Sequence, residues 1–159
     1  MNFNLINVGI AECKTASAPD ILRTILGSCV GICCYDSTLK IGGLAHIMLP
    51  VNRKSSSSIS KYADTAIPYM ISEMEKMGGD KKRFTAKIVG GATMFNLSEN
   101  SMMSEIGRNN VTMVRQILSD SGISLLSEDV GGDYGRTIDF VIETGEVRVR
   151  SMGRNEKVI

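Results

Sequence analysis

Two apolar runs punctuated by glycine, residues 25–35 (ILGSCVGICCY) and 41–48 (IGGLAHIM), are separated by only the five residues Asp36 to Lys40. Runs with so little polar alternation suit buried strands rather than strands with one wet face. Gly27 and Gly31 suit close approach of another backbone. Asp36-Ser37-Thr38 carries turn chemistry, so the two runs predict a hairpin or sharp return.

Around this pair the chain alternates strand and helix patterns. Residues 3–11 read as a strand and residues 16–20 (ASAPD) as a loop. Residues 52–60 (NRKSSSSIS) form the one low-complexity stretch and predict a flexible loop. A helix is expected over 61–77, where Ala63, Ala66, Ile67, Met70, Ile71, Met74 and Met77 recur at spacings of three and four. Gly78-Gly79 ends it, and Pro68 predicts a kink or a broken first turn. A strand over 84–89 runs into Gly90-Gly91, and a second helix is expected over 106–120. Strands follow near 123–127, 136–142 and 146–151, the last two as a hairpin around Glu143 to Glu146. About seven strands and two helices give an α+β class, with both helices packed on a layered β-sheet structure in one domain over 1–159.

Composition narrows the function. The chain has 159 residues and a net charge of +1, so no charge pattern points to nucleic acid or an anionic membrane. The Lys81-Lys82-Arg83 run reads as a solvated loop. No apolar run approaches the ~20 residues of a membrane span, and the N-terminus lacks signal-peptide character. A cytoplasmic location is therefore expected. There Cys13, Cys29, Cys33 and Cys34 are expected as free thiols, with neighbours Cys33 and Cys34 on opposite faces of a strand. No exposed apolar stripe is evident, which favours a monomer. The ten methionines are expected mainly as core filling.

The chain has one histidine, His46, seventeen residues after Cys29. An imidazole is the natural proton carrier near neutral pH, and a thiol is its natural client. If the two apolar runs pair, Cys29 and His46 can meet across them. Such a pair attacks an acyl carbon, expels an amine and leaves a thioester for water. Gly27 and Ser28 leave nearby backbone N–H groups open to an oxyanion, and the Thr24 hydroxyl can accept from the imidazole ring. Two other readings stand beside this one. Buried cysteines and a lone histidine commonly serve only as core. Cys29, Cys33, Cys34 and His46 supply the elements of a three-Cys, one-His zinc site, though the spacing departs from the CxxC pattern. Glu128, Asp129, Asp133 and Asp36 read as turn residues and solvated charges.

The segments LGSCVGICCYD, GGLAHIMLP, KYADTAI, AKIVGGATMF, IGRNN and ISLLSEDVGGDYGRTIDFVIETGEVRVR, in this order, closely resemble the CheD family of chemoreceptor glutamine deamidases. The resemblance runs over nearly the whole chain. It implies a cysteine-hydrolase fold that works without a metal or cofactor. It implies Cys29 as nucleophile, His46 as base and Thr24 as third catalytic residue, with Arg23 at the alternative spacing. The implied reaction converts glutamine side chains on receptor cytoplasmic helices to glutamate and ammonia. Gly27, Ser28, Gly90, Gly91 and Phe95 are the expected substrate-binding positions, and the Ser55–Ser58 loop and the turn after Gly90 are the expected rims. The resemblance also implies binding to the phosphatase CheC, and with it an alternative role as a non-catalytic regulator.

Overall fold

A computed structural model of the chain describes residues 2–94 and 105–159. The elements that position the site are β1 (Leu5–Asn7), β2 (Cys13–Ser17), β3 (Ile21–Leu26), β4 (Val30–Asp36) and β5 (Ile41–Ile47). They are followed by α1 (Ala63–Lys76), β6 (Thr85–Gly90), α2 (Ile106–Asp120), β7 (Ser124–Val130), β8 (Arg136–Val141), β9 (Glu146–Arg150) and β10 (Lys157–Val158). One sheet has the order β1-β3-β8-β9-β10 and the other β2-β5-β4-β6-β7.

The second sheet is the middle layer. One of its faces meets the first sheet through Cys33, Leu44 and Val89 packed with Leu22, Leu26, Ile138 and Phe140. The other meets the helices through Val30, Ile32, Cys34, Ala45 and Ile47 packed with Met70, Met74, Val111, Val114 and Leu118. Burial on both sides explains why β4 and β5 read as continuous apolar runs. It also places Cys33 and Cys34 in different cores, as strand alternation requires. Gly42 and Gly43 show how tight the layers are. A Cβ on Gly42 would lie 2.9 Å from Ile142 and Phe140, and one on Gly43 would lie 2.8 Å from Met70.

The β4–β5 hairpin forms as expected, with Val30 opposite Ile47 and Asp36 opposite Ile41. The 25–35 run, however, is two strands in two sheets. It breaks at Gly27-Ser28-Cys29, where the chain crosses from β3 to β4. Hydropathy is blind to that crossing, because both strands are buried. The expected first strand shortens to Leu5–Asn7, and Cys13–Ser17, partly read as loop, pairs with β5 along its length. Ten strands stand among the described residues in place of about seven.

Helix α1 runs unbroken through Pro68. The proline is on the exposed side, where water can reach the Asp64 carbonyl that loses its donor. The serine loop is tied down rather than free, since Asn52 exchanges two hydrogen bonds of 2.9 Å with the Ser56 backbone. Asp36 holds its turn as expected, accepting from Thr38 N–H at 3.0 Å, and is also buried against Arg83 at 2.8 Å. Asp129, read as a solvated charge, is buried and pairs with buried Arg136 and with Lys157. The Lys81-Lys82-Arg83 run is a short 3-10 turn with both lysines exposed and its half-buried arginine paired with buried Asp36.

Candidate active site

The break at residues 27–29 is held from one side. Ala92 N–H donates to the Gly27 carbonyl at 3.0 Å, and Gly91 N–H to the Cys29 carbonyl at 2.8 Å. Asn110 Nδ2 donates to the Ser28 carbonyl at 3.1 Å and to the Met48 carbonyl at 2.9 Å. All three carbonyls of Gly27-Ser28-Cys29 are therefore engaged. Among the described residues no backbone carbonyl accepts from Ser28 or Cys29 N–H. Gly90 and Gly91 complete this support in left-handed backbone, with φ of 115° and 66°. A Cβ on Gly90 would collide with the Cys29 carbonyl, so only glycine fits there.

His46 sits on β5 opposite Gly31, where a Cβ would press on Leu26 at 3.1 Å and Ile138 at 3.3 Å. Cys29 stands two residues before Gly31 and packs toward the same inter-sheet core. On its other flank His46 faces a β-bulge. Ala11 N–H donates to the His46 carbonyl at 3.0 Å, while His46 N–H donates to Glu12 at 2.9 Å. Ala11 occupies the left-handed position of that bulge, at φ 60°. Bulges of this kind re-aim a side chain near a site.

Thr24, buried on β3, fixes the ring. Its Oγ1 donates to the Val8 carbonyl at 2.7 Å and lies 2.7 Å from His46 Nδ1. The hydroxyl has one hydrogen and spends it on Val8, so it accepts from Nδ1–H. That assigns the tautomer and leaves the lone pair on Nε2. Nε2 is buried and meets no hydrogen-bond partner.

Burial sets the charges. It pushes the His46 imidazole down to about 4, against a smaller opposing pull from the Glu12 carboxylate. It pushes the Cys29 thiol up, partly offset by the residue's own N–H. The resting pair is therefore neutral thiol and neutral imidazole. This arrangement suits general-base activation rather than a preformed ion pair. Cys13 and Cys34 are driven further, to about 12, and Cys33 is also raised, all three chiefly by burial.

Of the expected residues, the fold joins Thr24 to His46 by a hydrogen bond and gathers Gly27, Ser28, Cys29, Gly90 and Gly91 at the break between β3 and β4. Phe95 lies outside the described residues. The zinc set is not assembled, since Cys34 faces the helices while Cys33 faces the other sheet. A cavity of about 340 Å³ adjoins His46 and Thr24. Its rim is Ile10 and Ile25, 61% and 71% exposed, rather than the serine loop. Gly91 and Thr93 line a different cavity, of about 230 Å³, with Arg108 and Arg115.

The family model described as CheD chemotactic sensory transduction matches residues 48–151. A Clostridium novyi protein is 48% identical over 100% of both chains. The chain belongs to the CheD family. A Syntrophomonas wolfei relative is 48% identical over 98% of each chain. Both relatives are named "Probable chemoreceptor glutamine deamidase CheD". The CheD model's match begins two residues after His46, whereas these relatives span the Cys29 and His46 segments too. The fold also resembles a crystal structure of a Neisseria meningitidis protein of family DUF152, with TM-score 0.51, 8% identity and coverage of 80% of this chain and 64% of that one.

Sequence reasoning missed two parts of this CheD site. The Ala11-Glu12 bulge has no sequence signal, because the left-handed position usually held by glycine is an alanine. Asn110 did have one. It is a polar residue on the buried stripe of α2, between Gly107, Val111 and Val114.

Proposed function

We propose that this chain is a cytoplasmic glutamine deamidase acting on chemoreceptor helices through Cys29, His46 and Thr24. The observation that carries the reading is the Thr24–His46 contact, which holds Nδ1 and leaves Nε2 unpartnered on the strand position opposite Gly31, two residues from Cys29. In the first half-reaction Nε2 takes the Cys29 proton as Sγ attacks the glutamine side-chain carbonyl carbon. The oxyanion meets the Ser28 and Cys29 N–H groups, whose carbonyls are tied back. The imidazolium then gives its proton to the leaving nitrogen. The C–N bond breaks, ammonia departs and a thioester remains on Cys29. In the second half-reaction Nε2 takes a proton from water as water attacks the thioester. The C–S bond breaks, the sulfur recovers the proton and glutamate is released.

The exposed Ile10 and Ile25 rim suits a whole helix better than a free amino acid. No helix of the described residues is long and apolar enough to cross a membrane. We take the chain as one domain over 1–159, working as a monomer without metal or cofactor, with the phosphatase CheC as a second partner.

The test is ammonia release from a receptor cytoplasmic fragment by the native protein and by Cys29→Ala. The proposal predicts release by the native protein alone, with the fragment's length unchanged. Receptor binding without ammonia release from either protein would refute it in favour of a binding regulator. A shortened fragment would indicate a peptidase.

A further inference from the structure

We propose that Asn110 is a positioning residue that aims the Cys29 N–H at the reaction's oxyanion, a role that rests on the deamidase reading above. Asn110 lies on α2 with none of its surface exposed. Both hydrogens of its Nδ2 are used, one on the Ser28 carbonyl and one on the Met48 carbonyl. Two carbonyl acceptors fix the amide's orientation, since a flipped group would set oxygen against oxygen. One side-chain amide therefore joins the nucleophile's loop to the strand that carries the base. It does so just beyond Val30 and Ile47, where the β4–β5 pairing ends.

The chemical consequence follows from the planar trans peptide. The C=O of Ser28 and the N–H of Cys29 belong to one unit and point in opposite directions. Holding that carbonyl toward α2 turns the Cys29 N–H away from α2, leaving it open to the oxyanion of a carbonyl attacked by Sγ. The Ala92 bond to Gly27 does the same for the Ser28 N–H. Asn110 differs from that backbone contact in being removable by substitution. Its Oδ1 is buried without a partner. A helix position used only for packing would be better filled by an apolar residue.

The experiment compares native protein with Asn110→Ala and Asn110→Ser on the receptor fragment. It measures kcat, KM and the second-order rate of Cys29 alkylation by iodoacetamide. Alkylation reports the thiol and its base but forms no oxyanion. We expect kcat to fall about a hundredfold in Asn110→Ala, the scale of one lost oxyanion donor. KM and the alkylation rate should stay within about threefold of native, and Asn110→Ser should recover part of kcat with its single donor. Unchanged kcat would overturn the proposal. So would kcat and alkylation falling together, or failure of both variants to fold, since either makes Asn110 a support of the fold alone. A native protein that releases no ammonia would instead refute the deamidase reading, and this inference with it.

Discussion

Lowering the pH from 7 to 5 is expected to destabilise this protein by about 2 kcal/mol through His46 alone. The imidazole is 2% exposed, and its pKa is pushed from the ordinary 6.5 down to about 4. A base that titrates lower when folded binds fewer protons than it does in the unfolded chain. Its contribution is intact above 6.5 and is lost as pH falls toward 4. At pH 5 the unfolded imidazole is almost fully protonated and the folded one is about nine-tenths neutral. The difference is about 2 kcal/mol, rising toward about 3 kcal/mol near pH 4. The carboxylates contribute at lower pH. Burial opposes the charge on Asp36 and Asp139, yet hydrogen bonds from Arg83, and from Arg23 and Arg150, hold both below the usual range. Their stabilisation is lost only below about pH 4. The chain has no second histidine to confuse the window between 5 and 6.5. Urea unfolding of native protein and of His46→Asn across that window isolates the effect. The native free energy should fall by about 2 kcal/mol and that of the variant by less than about 0.5. Parallel losses in the two proteins would mean that His46 is not the group responsible. So would an imidazole NMR titration near 6.5 in the folded protein.

Three further outcomes follow from the same geometry. Thr24→Val leaves both Nδ1–H and the Val8 carbonyl without a partner, and should lower kcat about 10- to 100-fold in a steady-state ammonia assay; Thr24→Ser should keep most of the activity. Ala11→Gly relieves a left-handed alanine and should raise stability by about 1 kcal/mol in urea titration, with activity unchanged. Thiol titration of the native protein should show one fast cysteine, Cys29, and three slow ones. Faster modification of Cys13, Cys33 or Cys34, each raised further by deeper burial, would contradict the site's placement.

The sequence made the chemistry legible where one residue type carried it alone. A single histidine, a cysteine within glycine and serine, and a nearby threonine were sufficient to nominate candidate residues, of which the fold joins Thr24 and His46 directly. The β4–β5 hairpin and both helices were legible from period and turn residues. What escaped was information held between segments. Hydropathy cannot distinguish one buried strand from two that cross between sheets, so the break carrying Cys29 was hidden inside an apolar run. Asp129 looked solvated, and the burial of the turn residue Asp36 was hidden, because their arginine partners, Arg136 and Arg83, are brought to them only by folding. The Ala11-Glu12 bulge was invisible because its signal residue is missing. Ile10 and Ile25, at the rim of the His46 cavity, read as ordinary strand residues, and only the packing of β3 beside the bulge exposes them.

The most direct test of the central claim is intact-mass analysis of a receptor cytoplasmic fragment incubated in H2(18)O with native protein, Cys29→Ala and His46→Asn. Thioester hydrolysis puts one oxygen from water into each new glutamate. A gain of about three mass units per site is therefore expected with the native protein and none with either variant. Tandem spectra should place the gain on glutamine side chains. An unchanged mass with native protein, or an equal gain with Cys29→Ala, would contradict the claim that this site is a cysteine-dependent deamidase.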